Sequence, residues 1–590
     1  MKRYYLFLVL ILLGSCKKAL ERNPLDSLTP DEAFSSEENL QLYINSFYSQ
    51  MIPTPADIYG YGDFSNLYIG DKLSDIITVR DVSPYLYGVY SAQQATGWTW
   101  TTLRNVNYFL ANYQKAPVAE ARKNHYAGIA RFFRAWFYYN KVKQFGDVPW
   151  YSQPLSPTDE ALYKAKDPRT LVMDSVLADI NFACENIDSK KDNTCSAITK
   201  WVALALKSRI CLYEGTYRKY HTELSLSGTA QTWLQNAAES ANQIMTSGTY
   251  SLNSTGNPDK DYRTLFVSEN PPSSEVMLAS ISNNTLKKWH VANWTFTSAS
   301  LGPKISFVKR FINTYLNIDG TRFTDGAGYA TEEFQDEVKN RDKRLSQTIR
   351  LGNYKRSDGS PAPPDFLYTF TGYHILKFTT DDKSLDGING NFNSIPIIRY
   401  AEVLLNYAEA KAELGTFSTD DWNKTIALLR QRAGITNIAM PTTIDAYMQA
   451  NFFDDISSIP VLEVRRERGI ELAGEGLRYD DLKRWKKGKL LEKEYDGIYV
   501  PEKNKLVDLN EDGVPDVSFV DQAPAVSVPG VVYVIIDNAS VKLSEGDKGR
   551  IIWRANIVRD YADKKYYAPI PFNELVLNKN LVQNDGWDHP

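Results

Sequence analysis

Apolar side chains recur every three or four residues over much of the chain, which is the spacing of helices that bury one face. The pattern predicts helices near residues 98–114, 119–145, 168–187, 197–216, 230–247, 396–414, 420–433 and 459–487. An earlier helix runs through ENLQLYINSFYSQM. The preceding TPDEAF provides Thr29 as an N-cap, Pro30 at the first helical position and Glu32 three residues after the cap.

The helical spacing breaks down between residues 249 and 395. This part is rich in Gly, Pro and Asn and contains short alternating runs such as SSEVMLASIS, a pattern that predicts strands and loops. The tail from residue 490 is also irregular and holds one strand-like run, GVVYVIID, at 530–537. The fold class is therefore mainly α, with an irregular, loop-rich part and a few short strands.

The helices place small residues beside large ones and end in short links. The small positions include Ala205, Ala408, Ala412 and Gly415. Helix–turn–helix repeats of the tetratricopeptide type stack in this way. Long insertions interrupt the period, so an irregular α-helical protein is the alternative.

One predicted helix is unusually aromatic. The stretch RFFRAWFYYNKVKQFGDVPWY, 131–151, places six large rings within eight residues: Phe132, Phe133, Trp136, Phe137, Tyr138 and Tyr139. A helix that buries one face needs only three or four apolar positions per two turns. We therefore expect this helix to be packed between neighbours on nearly all sides.

The first residues indicate export. MKR is followed by a short apolar run, Tyr4–Leu13, which is too short to span a bilayer and has the form of a secretion signal. Leu13-Gly14-Ser15-Cys16 resembles a bacterial lipobox, so we expect a signal peptide at 1–15, lipidation of Cys16, and a lipidated N-terminus and linker at 16–30. Several acyl chains give stable anchoring. Lys17 follows the cysteine instead of the Asp that commonly retains lipoproteins at the inner membrane, so the outer membrane is the expected location. The alternative is an ordinary signal peptide with an incidental cysteine.

Composition and charge narrow the range of partners and ligands expected for the chain. The net charge is −4, which argues against nucleic acid as a partner. The chain contains 37 Tyr, 25 Phe and 12 Trp, more rings than a core needs, and exposed rings suit ligands with apolar faces such as sugars. No CxxC, Cys/His cluster or HExxH occurs, so zinc is not expected.

The remaining cysteines are Cys184, Cys195 and Cys211. Cys211 lies in an apolar helical run and is expected to be a small core residue. A disulfide between Cys184 and Cys195 would close a short loop, and the sequence leaves that pairing open.

Four motifs together resemble the SusD/RagB family of Bacteroidetes outer-membrane lipoproteins. They are the aromatic helix with its FGDVP turn, RYAEVLLNYAEAKAELG at 399–415, RRERGIELAGEGLRYDDLKRW at 465–485 and YYAPIPFNELVLNKNLVQNDGW at 566–587. The lipobox and SLTPDEAFSSEENLQLYINSFY also fit. The resemblance implies a tetratricopeptide-like helix-pair scaffold over a single domain, 31–590. Its helical parts would be about 31–248 and 396–590, separated by the insertion 249–395.

The resemblance also implies a role. Members of this family are surface-exposed glycan- or peptide-binding lipoproteins that form a lid over a SusC-like TonB-dependent transporter. The chain is therefore expected to bind a glycan, or as an alternative an oligopeptide, and to need no cofactor.

The charged motif at 465–481 alternates in sign at helical spacings. Such an arrangement favours ion pairs between elements over a catalytic centre. A secreted glycosidase would need two carboxylates at a defined separation, and no GxSxG, P-loop or dinucleotide fingerprint is present. A purely structural lid, whose transporter performs all recognition, is a third hypothesis.

Ligand-binding candidates are aromatic residues in loops, with polar neighbours. They are Trp98, Trp100, Arg104 and Asn105 in GWTWTTLRNVN, Trp289 and Trp294 in a polar loop without helical periodicity, and Asp71 and Arg80 in the aromatic-rich loop region. For each tryptophan, ordinary packing is the alternative, because large rings are mostly buried.

A separate motif, DLNEDGVPD, resembles an EF-hand-type calcium loop. Asp508, Asn510, Asp512, Gly513 and Asp516 occupy loop positions 1, 3, 5, 6 and 9. Position 12 is Phe519 instead of the bidentate Glu, and Asp521 is the possible substitute. The expectation is a structural Ca²⁺ that braces a loop; the alternative is a solvated acidic turn.

Overall fold

The structure is a computed structural model that describes residues 33–54, 73–88, 90–387 and 390–587. The predictions for the signal peptide, Cys16, the cap formed by Thr29, Pro30 and Glu32, and Asp71 fall outside the described residues. The helix through ENLQLYINSFYSQM begins at Glu37, and the Ser36 hydroxyl caps it by accepting from the Asn39 N–H at 3.2 Å.

An array of long helices forms the N-terminal half of the described chain. Their bounds are α1 Glu37–Met51, α2 Thr101–Asn112, α3 Glu120–Phe145, α4 Arg169–Asn186, α5 Lys200–Tyr220 and α6 Ala230–Ser247. Helices α3 and α4 pack against each other as one pair and α5 and α6 as the next, and α4 also contacts α5. This succession of helix pairs confirms the predicted scaffold.

The middle of the chain carries only short helices. They are α7 Asp261–Val267, α8 Ala292–Thr297, α9 Lys309–Ile312, α10 Phe334–Glu337 and α11 Leu345–Thr348. Helices then resume as α12 Tyr400–Glu413, α13 Thr419–Lys424, α14 Ile426–Arg432, α15 Ala446–Asn451, α16 Ile459–Glu471, α17 Arg478–Arg484 and α18 Phe572–Leu577. Helix α12 packs against both α6 and α16, which continues the array.

The strands are short. They are β1 Ile77–Thr78, β2 Val276–Ser280, β3 Ser306–Phe307, β4 Ile395–Arg399, β5 Tyr495–Val500, β6 Leu506–Val507, β7 Val517–Val520, β8 Val532–Ile535, β9 Val541–Leu543 and β10 Gly549–Trp553. Antiparallel pairs join β1 to β3 and β2 to β4, whereas β5–β10–β9 and β6–β7–β8 form two three-stranded sheets. Strand β8 confirms the run predicted at 530–537.

Three predicted helices differ from the structure. The helix predicted over 420–433 is divided into α13 and α14, because Thr425 between them has non-helical backbone angles, φ −129° and ψ −86°. Residues 396–399 belong to β4, so the helix predicted from 396 begins at Tyr400. The helix predicted over 459–487 is broken between α16 and α17, where Gly474 and Gly476 have φ of +75° and +77°. These left-handed values end a helix, and glycine adopts them without strain.

The aromatic helix α3 is buried on nearly all sides, as predicted. Phe132, Phe133 and Tyr138 are fully buried, while Phe137 alone among the six rings is half-buried. Gly146 then ends the helix with φ +76°, and a Cβ added there would lie 3.1 Å from the Tyr567 ring. The FGDVP turn therefore packs directly on the C-terminal motif.

The charged motif forms buried ion pairs, as predicted. Arg468 lies 2.8 Å from Asp481, Arg465 lies 3.0 Å from Glu413, and Glu471 pairs with arginines from other elements. These side chains join α16 to α12 and α17 through the core.

Cys184, Cys195 and Cys211 are buried free thiols, so the structure shows no disulfide between Cys184 and Cys195. No helix in the described ranges combines the length and apolar character needed to cross a bilayer.

Candidate functional site

An open cavity of about 350 Å³ lies at the start of α2. We call it the aromatic groove. It is lined by Trp98, Trp100, Thr101, Leu103, Arg104, Asn107, Pro149, Tyr151, Gln153, Leu155, Leu162, Glu574, Asn578 and Leu581. Three segments distant in sequence thus form its walls: the entry to α2, the loop 149–155 that follows α3, and α18 with the residues after it.

The two predicted tryptophans of this region have different roles. Trp98 is only 7% exposed and packs edge-to-face on Phe145, with ring centroids 4.9 Å apart. Trp100 is half-buried and meets Tyr151 edge-to-face at 5.6 Å. Trp98 also packs edge-to-face on Trp100 at 5.5 Å, so Trp98 supports the ring that the groove presents.

The loop 149–155 is fixed to the helices beneath it. The Asn107 amide donates to the carbonyl oxygen of Tyr151 at 2.8 Å, and the Tyr151 N–H donates to the Tyr138 hydroxyl at 2.5 Å. Arg134 in turn donates to Asn107 Oδ1 at 3.1 Å and pairs with Asp179 at 2.6 Å. Because the loop is held in place before any ligand arrives, little ordering remains for binding.

Polar groups lie along the aromatic wall. Arg104 is exposed and uses Nε to donate to the Leu155 carbonyl at 3.1 Å, while Gln153 is exposed on the loop. Glu574 is half-buried, and burial raises the pKa of its carboxyl. Donors and an acceptor beside two rings suit a ligand with hydroxyls and apolar faces.

A buried lysine lies under the groove. Lys141 is 7% exposed, donates from Nζ to the Gly97 carbonyl and lies 5.4 Å from the centre of the Trp100 ring. Burial lowers the pKa of Lys141 to about 8. The residue fixes the glycine turn that precedes the two tryptophans.

Sequence reasoning reached part of this groove. Trp98, Trp100 and Arg104 line it, whereas Asn105 lies on the same helix but donates to Gln50 at 3.3 Å and is not a lining residue. The missed residues are Asn107, Tyr151, Gln153, Glu574 and Asn578. The FGDVPWY turn gave a partial signal for Tyr151, because Pro149 keeps the residue before it out of the helical conformation and so places Tyr151 in a loop after the aromatic helix.

The other ligand candidates that lie among the described residues belong to a second region, around α8. Trp294 lies on this short helix, so the prediction of a non-helical loop there is wrong; the helix is too short to show a periodicity. Trp289 is half-buried and donates from Nε1 to Asn284 at 3.1 Å. Arg80 donates to the Ala299 carbonyl at 2.9 Å just beyond α8. We call Trp289, Trp294 and Arg80 the α8 region.

The predicted calcium loop folds on itself. Asp508 accepts from the N–H groups of Glu511 at 2.7 Å and Gly513 at 2.8 Å, and Asp516 accepts from Leu509 at 2.7 Å. Burial raises the pKa of Asp516 to about 6, helped by the charge of Asp508. Among the described residues, no group of three or more His, Cys, Asp or Glu side chains is arranged to hold a metal. Calcium binding stays a prediction.

Comparison with known proteins identifies two matching family models. The SusD family model matches residues 233–587, and a model described as starch-binding associating with outer membrane matches residues 72–205.

Individual relatives extend the match over most of the chain. SusD-like protein P2 of Formosa agariphila is 25% identical over 519 residues, covering 83% of this chain and 92% of its own. A SusD-like carbohydrate binding protein of Bacteroides fragilis superposes with a TM-score of 0.69 at 22% identity, covering 93% of this chain and all of its own. Surface glycan-binding protein A of Bacteroides fluxus has a TM-score of 0.57 at 19% identity, covering 94% of this chain and 100% of its own.

Proposed function

The chain belongs to the SusD family, and from that premise we propose that it is a cell-surface lipoprotein that binds an oligo- or polysaccharide and delivers it to a SusC-like TonB-dependent transporter. The aromatic groove carries this proposal. Sugar rings have apolar faces and hydroxyl edges, and Trp100 and Tyr151 stand beside Arg104, Gln153 and Glu574 in one open cavity. The descriptions of the second family model and of the Bacteroides neighbours as starch-, carbohydrate- or glycan-binding support it.

Binding, and not catalysis, is the proposed activity. The buried carboxylates of the charged motif are ion-paired, as Asp481 is to Arg468, so they are not free to act as acid and base. Hydrolysis of a polysaccharide by the purified chain, abolished by a single Asp or Glu substitution, would overturn this part of the proposal.

Affinity electrophoresis tests the binding function. The full chain, purified in a mild detergent, is run through native gels that contain one polysaccharide each, with and without calcium. Retardation by at least one glycan class is expected, and Trp100→Ala should reduce it. If no glycan retards the chain while a mixed oligopeptide pool binds it, the peptide-binding alternative replaces the glycan proposal.

The anchor and the partner are tested separately. Metabolic labelling with an alkyne fatty acid should label the wild-type chain, and Cys16→Ala should remain unlabelled. Affinity purification from solubilised outer membranes should recover a TonB-dependent transporter with the tagged chain. Recovery of none would contradict the delivery step and leave the binding step standing.

A further inference from the structure

A second open cavity, of about 470 Å³, lies beside the loop that carries the DLNEDGVPD motif. We call it the polar cavity. Its walls come mainly from residues 335–346, 351–353 and 509–511. The polar cavity and the aromatic groove share no described lining residue, and the volume of the polar cavity falls in the range of ligand pockets, about 300–1,000 Å³. It is therefore a separate space that a small ligand can enter.

The lining of the polar cavity is balanced in charge. Three cations are opposed by three carboxylates: Lys339, Arg341, Lys343, Asp259, Asp342 and Glu511. Among the described residues, the lining contains no aromatic ring. Balanced charge without rings favours a neutral ligand that is held by hydrogen bonds over an ion or a ligand that is held by stacking.

Two amides of the lining are open to solvent. Asn340 and Asn353 are exposed, and neither side chain forms a hydrogen bond within the described part of the chain. An amide offers two donors and an acceptor, which matches a sugar hydroxyl that can also donate and accept. A ligand would gain these bonds without breaking others inside the protein.

Two lysines of the lining are held only by exposed ion pairs. Lys339 Nζ lies 2.9 Å from the Glu511 carboxylate, and Lys343 Nζ lies 2.9 Å from that of Asp259. All four side chains are at least 39% exposed, and exposed pairs contribute little to stability. Each lysine can therefore turn to a ligand hydroxyl at small cost, and such charge-assisted hydrogen bonds are stronger than neutral ones.

The wall formed by residues 509–511 is fixed before a ligand arrives. Gln335 Nε2 donates to the Asp508 carbonyl oxygen at 2.9 Å, which ties the loop to α10. A Cβ added at Gly352 would lie 2.7 Å from Cα of Asn510, so the loop packs directly on the backbone of the opposite wall. Little ordering therefore remains for binding.

The backbone of the cavity wall is strained at two positions. Asn340 has φ +56° and Glu511 has φ +59°, so two of the ten described non-glycine residues with positive φ line this one cavity. Left-handed backbone in a glutamate is uncommon, and it persists only where surrounding contacts hold it. Here the Glu511 N–H donates to Asp508 at 2.7 Å and its carboxylate pairs with Lys339. Residues held in this way cluster at ligand sites.

We infer that the polar cavity is a second carbohydrate site, which takes a neutral sugar through its hydroxyls. The amides of Asn340 and Asn353 and the ammonium group of Lys339 bind the hydroxyls as donors. The Glu511 carboxylate accepts from one of them. The inference rests on the proposed glycan-binding function and adds to it a site that works without ring stacking.

Hydrogen exchange tests the inference, because it reports on each cavity separately. The full chain in mild detergent is exchanged with and without an excess of maltohexaose, cellohexaose, xylohexaose or mannohexaose. At least one of these neutral sugars should slow amide exchange in 335–353 and 509–511, in addition to the segments of the aromatic groove. Slower exchange at the groove alone would overturn the inference and leave glycan binding intact. Unchanged exchange at both cavities with every sugar would overturn both.

A double variant removes the two amides. Asn340→Gly with Asn353→Ala keeps the left-handed backbone at 340, because glycine adopts it without strain. The sugar concentration that half-protects 335–353 should rise about tenfold, while groove protection and the thermal midpoint stay unchanged. Asn538→Gly is the matched control and should behave as wild type, since Asn538 is also exposed, has φ +56° and lines neither cavity. An unchanged half-protecting concentration in the double variant would overturn the inference.

Trp100→Ala separates direct binding from an effect transmitted from the groove. It should reduce protection at the groove and leave protection of 335–353 intact. Loss of protection at both cavities in Trp100→Ala would show that 335–353 responds to the groove ligand and would overturn the inference.

A galacturonate oligomer tests the charge of the ligand. The balanced lining predicts that this acid protects 335–353 no better than the neutral sugars do. Protection of 335–353 by the acid alone would overturn the inference of a neutral sugar.

Discussion

The Glu471 carboxylate lies 2.6 Å from Nη1 of Arg399, which joins the end of α16 to the end of β4. Arg344 approaches the same carboxylate at 2.9 Å, and Arg432 is also paired to it. All four side chains are at most 2% exposed. Burial alone would raise the pKa of Glu471, but the three arginines outweigh it and hold the pKa well below its usual value. Glu471 therefore connects three arginines from other parts of the chain within the core.

Glu471→Gln is expected to lower the free energy of unfolding by about 3–5 kcal/mol, because it leaves buried arginines uncompensated. Urea denaturation followed by tryptophan fluorescence measures the change. Exposed Glu120 lies 3.9 Å from Lys123 and is the control: Glu120→Gln should change nothing measurable. Equal stability of Glu471→Gln and wild type would contradict the prediction.

The lowered pKa of Glu471 also predicts a loss of stability in acid. Its pKa is lower in the folded state, so its stabilisation is present above the unfolded value of about 4.3 and is lost as pH falls through the folded value. The thermal midpoint of the wild type should therefore decrease as the pH is lowered below about 4. The fall should be shallower in Glu471→Gln, measured by scanning calorimetry across pH.

Trp98 and Trp100 should separate stability from binding. Trp98→Ala removes a ring that is packed on Phe145 and should lower the thermal midpoint. Trp100→Ala should keep most of the stability but weaken binding of the retarding glycan by about fivefold, since one ring contact contributes roughly 1 kcal/mol. Affinity electrophoresis and thermal unfolding of both variants check this. Unchanged binding in Trp100→Ala would contradict the prediction and place the ligand away from this ring.

Lys141 should make stability rise with pH. Its folded pKa of about 8 is below the unfolded value, so its stabilisation is complete above about pH 10.4 and is lost as pH falls through 8. Lys141→Met should flatten the increase in thermal midpoint between about pH 7 and 10. Lys115→Met, at an exposed lysine, should keep the wild-type slope. An unchanged slope in Lys141→Met would contradict the prediction.

Calcium should raise stability through the 508–516 loop if the predicted site forms. The folded pKa of Asp516, about 6, is above its unfolded value, so its stabilisation is present at low pH and is lost as pH rises through 6. Asp516→Asn should therefore raise the thermal midpoint at pH 7 without calcium and remove any midpoint increase on adding calcium. A wild-type midpoint that is identical in calcium and in chelator would rule out the site.

Local patterns predicted the long helices well. Residues 119–145 and 230–247 match α3 and α6 closely, because the apolar spacing is helical and Gly146 and Gly248 directly follow the last helical residues. PIIR at 396–399 was misassigned because four residues fit a strand and a helix turn equally. Gly474 and Gly476 interrupt the helix between α16 and α17. The spacing of charged residues in this stretch, taken alone, predicts one continuous helix.

The groove was predicted on one wall only. Trp98, Trp100 and Arg104 lie in one short segment, where the sequence shows a loop leading into a helix. Glu574 and Asn578 join them through contacts between the two ends of the chain, and no local pattern encodes such a contact.

The walls of the aromatic groove come from residues 98–107, 149–162 and 574–581, so its closure depends on the last part of the chain to be synthesised. A polypeptide that has emerged only as far as α17 holds the helices and both tryptophans but lacks one side of the groove. Capture of the proposed ligand in this groove therefore requires that the C-terminal segment has packed onto the turn at Gly146.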